Sequence, residues 1–205
     1  MKNLSYCHNG QSVRIVSRQV ISLQVTDDTS GASAGRFAEK RTLSAFDFFC
    51  IVIWKANRAK SRIARRLLAK GPYSDLDSAV HALVSAIAAA QSPKDRLRVL
   101  IQGWSFLQPM ASAILTVLYP DDFTIYDIRV YGVLGDFDWV QNKTRYDELW
   151  DGYSKYITVV GQAAPAELSL RDKDRWLWGR SFYEQLQRET KHKFPSRRSE
   201  DETGT

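Results

Sequence analysis

The sequence predicts an all-α fold, and three observations carry this. Apolar residues recur at helical spacing from about residue 44 to residue 189. Ser, Asp or Pro stands at the start of most of these runs, as helix N-termini require. No strand–helix alternation and no internal repeat interrupts the pattern.

The first run, SAFDFFCIVIWKANRAKSRIARRLLAKG, opens on a capping-box-like Ser44-x-x-Asp47 and ends at Gly71. Its first half is apolar nearly all round and is expected to be buried. Its second half carries Lys55, Arg58, Lys60, Arg62, Arg65 and Arg66. The next helix is expected over 74–91, opening with Ser74 and Asp75, Ala-rich and amphipathic. Ser92 then caps a helix with Pro93 at its first position, and KDRLRVLIQ runs on to Gly103. A short apolar hairpin, GWSFLQ, precedes a helix opened by Pro109 and stopped by Pro120. Asp127 begins the next helix, IRVYGVL, which Gly135 closes. Helices over 144–161 and 169–189 complete the set.

Outside these helices the composition changes. Residues 13–25, VRIVSRQVISLQV, fit one or two short strands or a docked arm, and 26–36, TDDTSGASAGR, read as a flexible linker. The end of the chain mixes charge with Ser, Thr and Gly and has little to bury. The expected organisation is an irregular or β N-terminal arm and linker over 1–40, one helical domain over 41–190, and a disordered tail over 191–205.

Composition limits the function. The chain has 205 residues, 44% hydrophobic, with 29 Lys and Arg against 23 Asp and Glu, a formal net charge of +6. That excess favours a polyanionic partner such as nucleic acid. Cys7 and Cys50, the only cysteines, support neither a disulfide framework nor a Cys metal site, so a reducing cytoplasm is expected. Cys50 lies in an apolar run and reads as packing. No secretory core and no membrane-length apolar run is visible. His8, His81 and His192 have no ligand neighbour at helical spacing, and Gly-rich phosphate or nucleophile motifs are missing. Neither metal nor cofactor is expected.

Chemistry is then sought in YPDDFTIYDIRV, residues 119–130. Asp121 and Asp122 follow Pro120, where a helix exit needs solvated turn residues. Asp127 stands apart, after Ile125-Tyr126 and before a new apolar run. On spacing alone it is a helix N-cap. Lys55, Arg58, Arg62 and Arg65, spaced to share one face of a continuous helix with no acid among them, suit phosphates. Trp104 and Phe106 lie in the hairpin, Tyr126 and Tyr131 flank Asp127, and Trp176 and Trp178 lie on the last helix.

The layout from 98 to 135 resembles the helix-hairpin-helix DNA glycosylases. Met110-Ala111-Ser112-Ala113-Ile114-Leu115 matches their second hairpin helix, and Tyr126-Asp127-Ile128-Arg129-Val130 matches their aspartate box. LRDKDRWLWG, 170–179, looks like the closing helix of small bacterial relatives, and the resemblance covers roughly 44–190. It implies that Asp127 is catalytic, stabilising the sugar cation as an extruded base leaves. It implies base-pocket or wedge roles among the six aromatics. Gln108 and Arg129 are expected at the DNA backbone with Lys55, Arg58, Arg62 and Arg65. The family hairpin usually reads G-x-G; here Ser105-Phe106-Leu107 replaces it, so the stripe is expected to carry more of the phosphate grip. The family's lyases hold a lysine where Pro109 stands, so a monofunctional, water-using enzyme is implied. The expectation is a monomeric DNA glycosylase acting on duplex DNA, its substrate an alkylated base or a modified phage cytosine. The alternatives are a non-catalytic DNA-binding module and a helical protein-interaction domain.

Overall fold

In the computed structural model, which describes residues 31–192 and the backbone of Cys7–His8 and Gln11–Ser12, helices carry the fold. The two short segments, β1 (Cys7–His8) and β2 (Gln11–Ser12), form an antiparallel ladder pairing Cys7 with Ser12 and His8 with Gln11. The strands expected over 13–25 and the tail from 193 onward lie outside the described residues. The helices group into two units, Met1–Ala89 and Ala90–Thr205, whereas the sequence reading expected one helical domain over 41–190.

In the first unit a helix, α1, covers 31–40, where the sequence reading expected an arm and linker as far as 40. One face explains it. Ser33 and Phe37 are buried, and Arg36 is ion-paired to Asp47. α2 (Ala45–Ala56) starts as expected, with the Ser44 hydroxyl accepting from the Asp47 backbone N–H. Burial alone would raise the Asp47 carboxyl, but its Arg36 and Ser44 contacts overcome that and hold it below the ordinary range. α2 is not buried all round. Phe48, Ile51 and Val52 are, while Phe46 and Ile53 stay exposed.

The continuous helix expected to Gly71 does not form. Ala56, at φ −160° and ψ 83°, breaks it. A single 3-10 turn, Asn57–Ala59, leads into α3 (Lys60–Leu68). Both α2 and α3 pack on α4 (Leu76–Ala89). A straight helix over 45–68 would be about 36 Å long, against about 21 Å for α4, so only a folded-back chain buries both halves on it. Asp75 caps α4: its carboxylate accepts from the Ser78 N–H at 2.7 Å while the Ser78 hydroxyl accepts from the Asp75 N–H at 3.3 Å.

In the second unit, Ser92 caps α5 (Pro93–Arg98), with Pro93 at its start. The helix then widens into one π-helical stretch, Val99–Gly103. The hairpin follows, and α6 (Gln108–Leu118) leaves it with every residue from Met110 to Leu118 buried. α7 (Ile128–Leu134), α8 (Tyr146–Gln162) and α9 (Leu170–His192) pack on one another. Gly152 of α8 lets the helix approach Trp139 and Val140; a Cβ there would lie 2.7 Å from the Trp139 ring. Among the described residues no helix is long and apolar enough to cross a membrane.

Candidate functional site

Asp127 is positioned by a buried extended segment. α6 ends at Tyr119, and Phe123 to Tyr126 return through the core without helix or sheet partners. Buried backbone polar groups must be paired, and here side chains do it. The Tyr126 N–H donates to Ser112 Oγ of α6 at 2.9 Å. The Tyr153 hydroxyl donates to the Thr124 carbonyl at 2.6 Å, and the Tyr156 hydroxyl to the Ile125 carbonyl at 2.9 Å. Tyr126 in turn donates its hydroxyl to the Phe137 carbonyl at 2.5 Å. Burial raises the Tyr126 hydroxyl to about 12 and drives those of Tyr153 and Tyr156 well above the ordinary phenol range. All three are donors at neutral pH, as an unperturbed phenol also is.

The chain leaves this clamp at Asp127, half-buried, with φ −131° and ψ 138°. One carboxylate oxygen accepts from the Arg129 N–H at 3.0 Å, so Asp127 is the expected N-cap of α7. Its main-chain carbonyl accepts from Val130 and Tyr131. The cap fixes the carboxylate at the start of a short helix, directly after a segment held by two other helices. Asp121 and Asp122 are exposed, as a solvated turn requires, and Asp122 pairs with Arg96 at 3.3 Å.

The other candidates divide. Trp104 and Phe106 are only 7% and 3% exposed, and Tyr126 is fully buried, so these three pack in the core. The hairpin instead exposes Leu107, at 67%. Its turn places Ser105 at φ +57°, a left-handed conformation that glycine adopts without strain. Gln108 is 4% exposed with neither side-chain amide atom paired. Tyr131 is half-buried, its ring centroid 5.1 Å from that of Tyr126. Arg129 lies over the Trp178 and Phe182 rings, 5.8 and 5.6 Å from their centroids, and donates to Gln185 at 2.9 Å. That guanidinium fastens α7 to α9, with Trp178 and Phe182 stacked beneath it. Trp176 is half-buried beside Arg180.

The basic stripe is re-phased by the break at Ala56. Lys55 is half-buried on α2, Arg58 lies on the 3-10 turn, and only Arg62 and Arg65 share a face of α3. Arg58, Arg62 and Arg65 are exposed, and no acidic residue occurs between Asp47 and Asp75. The charge excess survives; the single helical face does not.

Sequence reasoning missed Ser112, Tyr153 and Tyr156, whose role depends on which backbone groups they meet. It also missed Asp174, a buried carboxylate on α9 paired with Arg171 at 2.6 Å and within electrostatic reach of both clamp tyrosines. The Arg171-x-x-Asp174 spacing was the one available signal. An open groove of about 460 Å³ in this unit is lined by Asp95, Arg98, Val99, Gln102 and Gly103 and does not include Asp127. No family model, no curated protein and no solved structure matches this chain.

Proposed function

We propose that the chain is a monofunctional DNA glycosylase of helix-hairpin-helix type, which extrudes a nucleotide from duplex DNA and hydrolyses its N-glycosidic bond. The observation that carries the reading is the mounting of Asp127. A carboxylate caps a short helix directly after a buried segment tied to α6 and α8, downstream of a hairpin with a left-handed residue at Ser105.

Loss of a base builds positive charge on the sugar. A carboxylate about 4 Å away stabilises that charge by about 4 kcal/mol at an effective dielectric of 20. This corresponds to roughly a thousandfold in rate. The same oxygen atoms can orient or deprotonate the attacking water. The clamp matters because such stabilisation requires a carboxylate that does not reorganise as charge develops. Pro109 has no side-chain amine, so an imine cannot form at that position, and the product is an intact abasic strand. The exposed cations of the first unit supply phosphate attraction.

The test is base release by mass spectrometry from natural, alkylated and phage-type modified DNA, wild type beside Asp127→Asn. Release by wild type alone, without borohydride trapping of a covalent complex, supports the proposal. Equal release by both chains removes Asp127 from the mechanism. DNA binding with no base released from any substrate favours the non-catalytic DNA-binding reading, to which the buried positions of Trp104, Phe106 and Tyr126 also lend weight.

A further inference from the structure

α2 turns an apolar face to solvent. Phe46, 76% exposed, and Ile53, 41% exposed, stand two turns apart on it. Half-buried Phe49 and Cys50 lie between them at helical spacing, on the same face. The two charged residues of α2, Asp47 and Lys55, lie off that face, Asp47 buried and paired with Arg36. A surface helix ordinarily presents polar residues outward, so this face is built for contact with something apolar.

The face continues into a groove. Phe49 lines an open cleft of about 230 Å³ together with Leu76 of α4 and Lys60, Ser61 and Ala64 of α3. On α3, Ile63 and Leu67 are buried, and Leu68, one turn beyond Ala64 on the cleft flank, is 39% exposed. Helical spacing puts Arg62 and Arg66 on the opposite flank of α3.

The charge around the cleft has one sign. From Phe48 to Ser74 no acidic residue occurs. Lys60 and Arg65 are exposed at the rim and meet neutral oxygens only: Lys60 Nζ donates to Asn57 Oδ1 at 3.0 Å, and Arg65 Nε to the Ser61 carbonyl at 3.4 Å. The acids that begin α4 do not offset them, being spent on backbone donors. Asp75 accepts from the Ser78 N–H at 2.7 Å, and Asp77 from the Ala45 N–H at 2.7 Å.

We infer that the α2–α3 face is a docking site for an acidic amphipathic helix of another protein, its apolar anchors on Phe46, Phe49 and Ile53 and its carboxylates toward Lys60 and Arg65. Phe46 and Ile53 are about 10.5 Å apart along the α2 axis, the span that anchors at i and i+7 of a partner helix cover. A second copy of this chain fits poorly, because it would bring a second set of the same cations to the face. A bilayer fits poorly as well, because the apolar surface runs down into a cleft instead of projecting. The inference needs no DNA and stands apart from the glycosylase reading.

The experiment uses the full chain and three fluorescein-labelled helical peptides, each about five turns long. The first has leucines at i, i+3, i+4 and i+7 with glutamates elsewhere. The second replaces the glutamates with lysines, and the third replaces the leucines with serines. Fluorescence polarisation should show micromolar binding of the first peptide and at least about tenfold weaker binding of the other two. Phe46→Ser and Ile53→Ser should each weaken the first peptide by about tenfold, as the loss of an anchor does, whereas Phe46→Leu should retain it. Lys60→Glu should weaken the glutamate peptide and strengthen the lysine peptide. All these positions are exposed, and an acid suits the first turn of α3, so every variant should melt close to wild type. Leu186→Ser, at an exposed position on α9, should bind as wild type does. Absence of binding by the glutamate peptide overturns the inference, as does equal binding of the lysine peptide. Unchanged affinity in both Phe46→Ser and Ile53→Ser overturns it, and so does a Lys60→Glu chain with unaltered charge preference. If Phe46→Ser instead abolishes self-association in sedimentation, or binding to phosphatidylserine vesicles, while the peptides do not bind, the occupant is a second copy or a membrane and the inference falls.

Discussion

Removing the Tyr156 hydroxyl tests whether side chains hold the segment ahead of Asp127. Tyr156 is fully buried and donates to the Ile125 carbonyl at 2.9 Å. Phenylalanine keeps the ring, including its edge contact with Tyr126 at 5.3 Å between centroids, and deletes only the donor. The carbonyl would then be buried without that bond, at a cost of about 1–3 kcal/mol. For a chain of this size each kcal/mol lowers the melting temperature by about 3 °C, so Tyr156→Phe should melt roughly 3–9 °C below wild type. Tyr153→Phe, losing its 2.6 Å bond to the Thr124 carbonyl, should fall in the same range. The two tyrosines hold neighbouring carbonyls, and their rings are 6.2 Å apart. The double variant should therefore lose less than the sum of the singles, because one release lets water reach both groups. Tyr183→Phe is the control: it is exposed, and its change should stay within about 0.5 kcal/mol. Calorimetry and denaturant titration, with unchanged m-values, read the result. Melting of both single variants within 1 °C of wild type, on the order of 0.3 kcal/mol, would refute the clamp.

Four further outcomes are expected. Asp127→Asn should keep the cap and lose about two to four decades of single-turnover base release, whereas Asp127→Ala should in addition lose about 1 kcal/mol of stability; equal stability of the two, measured in urea, would mean that the cap contributes nothing. Above pH 10 stability should fall, because the unfolded tyrosines ionise there while burial holds Tyr126 to about 12 and Tyr153 and Tyr156 higher still. The slope is about 1.4 kcal/mol per pH unit for each tyrosine, with full stability retained below pH 10, and a flat profile from pH 10 to 12 would contradict it. Gly152→Ala should destabilise by about 1–3 kcal/mol, since its Cβ would lie 2.9 Å from Val140 and 2.7 Å from Trp139, and a melting temperature at or above wild type would contradict that crowding. Arg62→Ala should reduce the salt slope of DNA affinity by about one unit for all sequences alike, checked at several salt concentrations; an unchanged slope would make that face of α3 a solvated surface only.

Helix starts were legible because capping is local. Ser44, Asp75, Ser92 and Asp127 each meet an N–H two or three residues ahead in the same chain segment. The break at Ala56 had no such signal: no Pro or Gly stands between 44 and 70, and the break reflects the burial of two helix halves on one short partner. The helix over 31–40 was hidden for a related reason, its small and polar residues being ordered by buried Phe37 and by the Arg36–Asp47 pair.

For the candidate site the division is similar. The sequence alone determined the all-helical class, the position of Asp127 at a helix start and the concentration of cations after residue 54, since these depend on spacing, capping and composition. Only the tertiary structure decided which side chains reach solvent. A hairpin with Trp104, Phe106 and Leu107 in a row offers three apolar candidates, and the core takes the two aromatics because they bury the most surface, leaving Leu107 outside. Arg129, read as a phosphate ligand, lies over Trp178 and Phe182, a contact within the fold that no local pattern announced. Pairing of buried carbonyls with Tyr153 and Tyr156 joins residues 29 and 31 positions apart, and no local pattern encodes a partner at that distance.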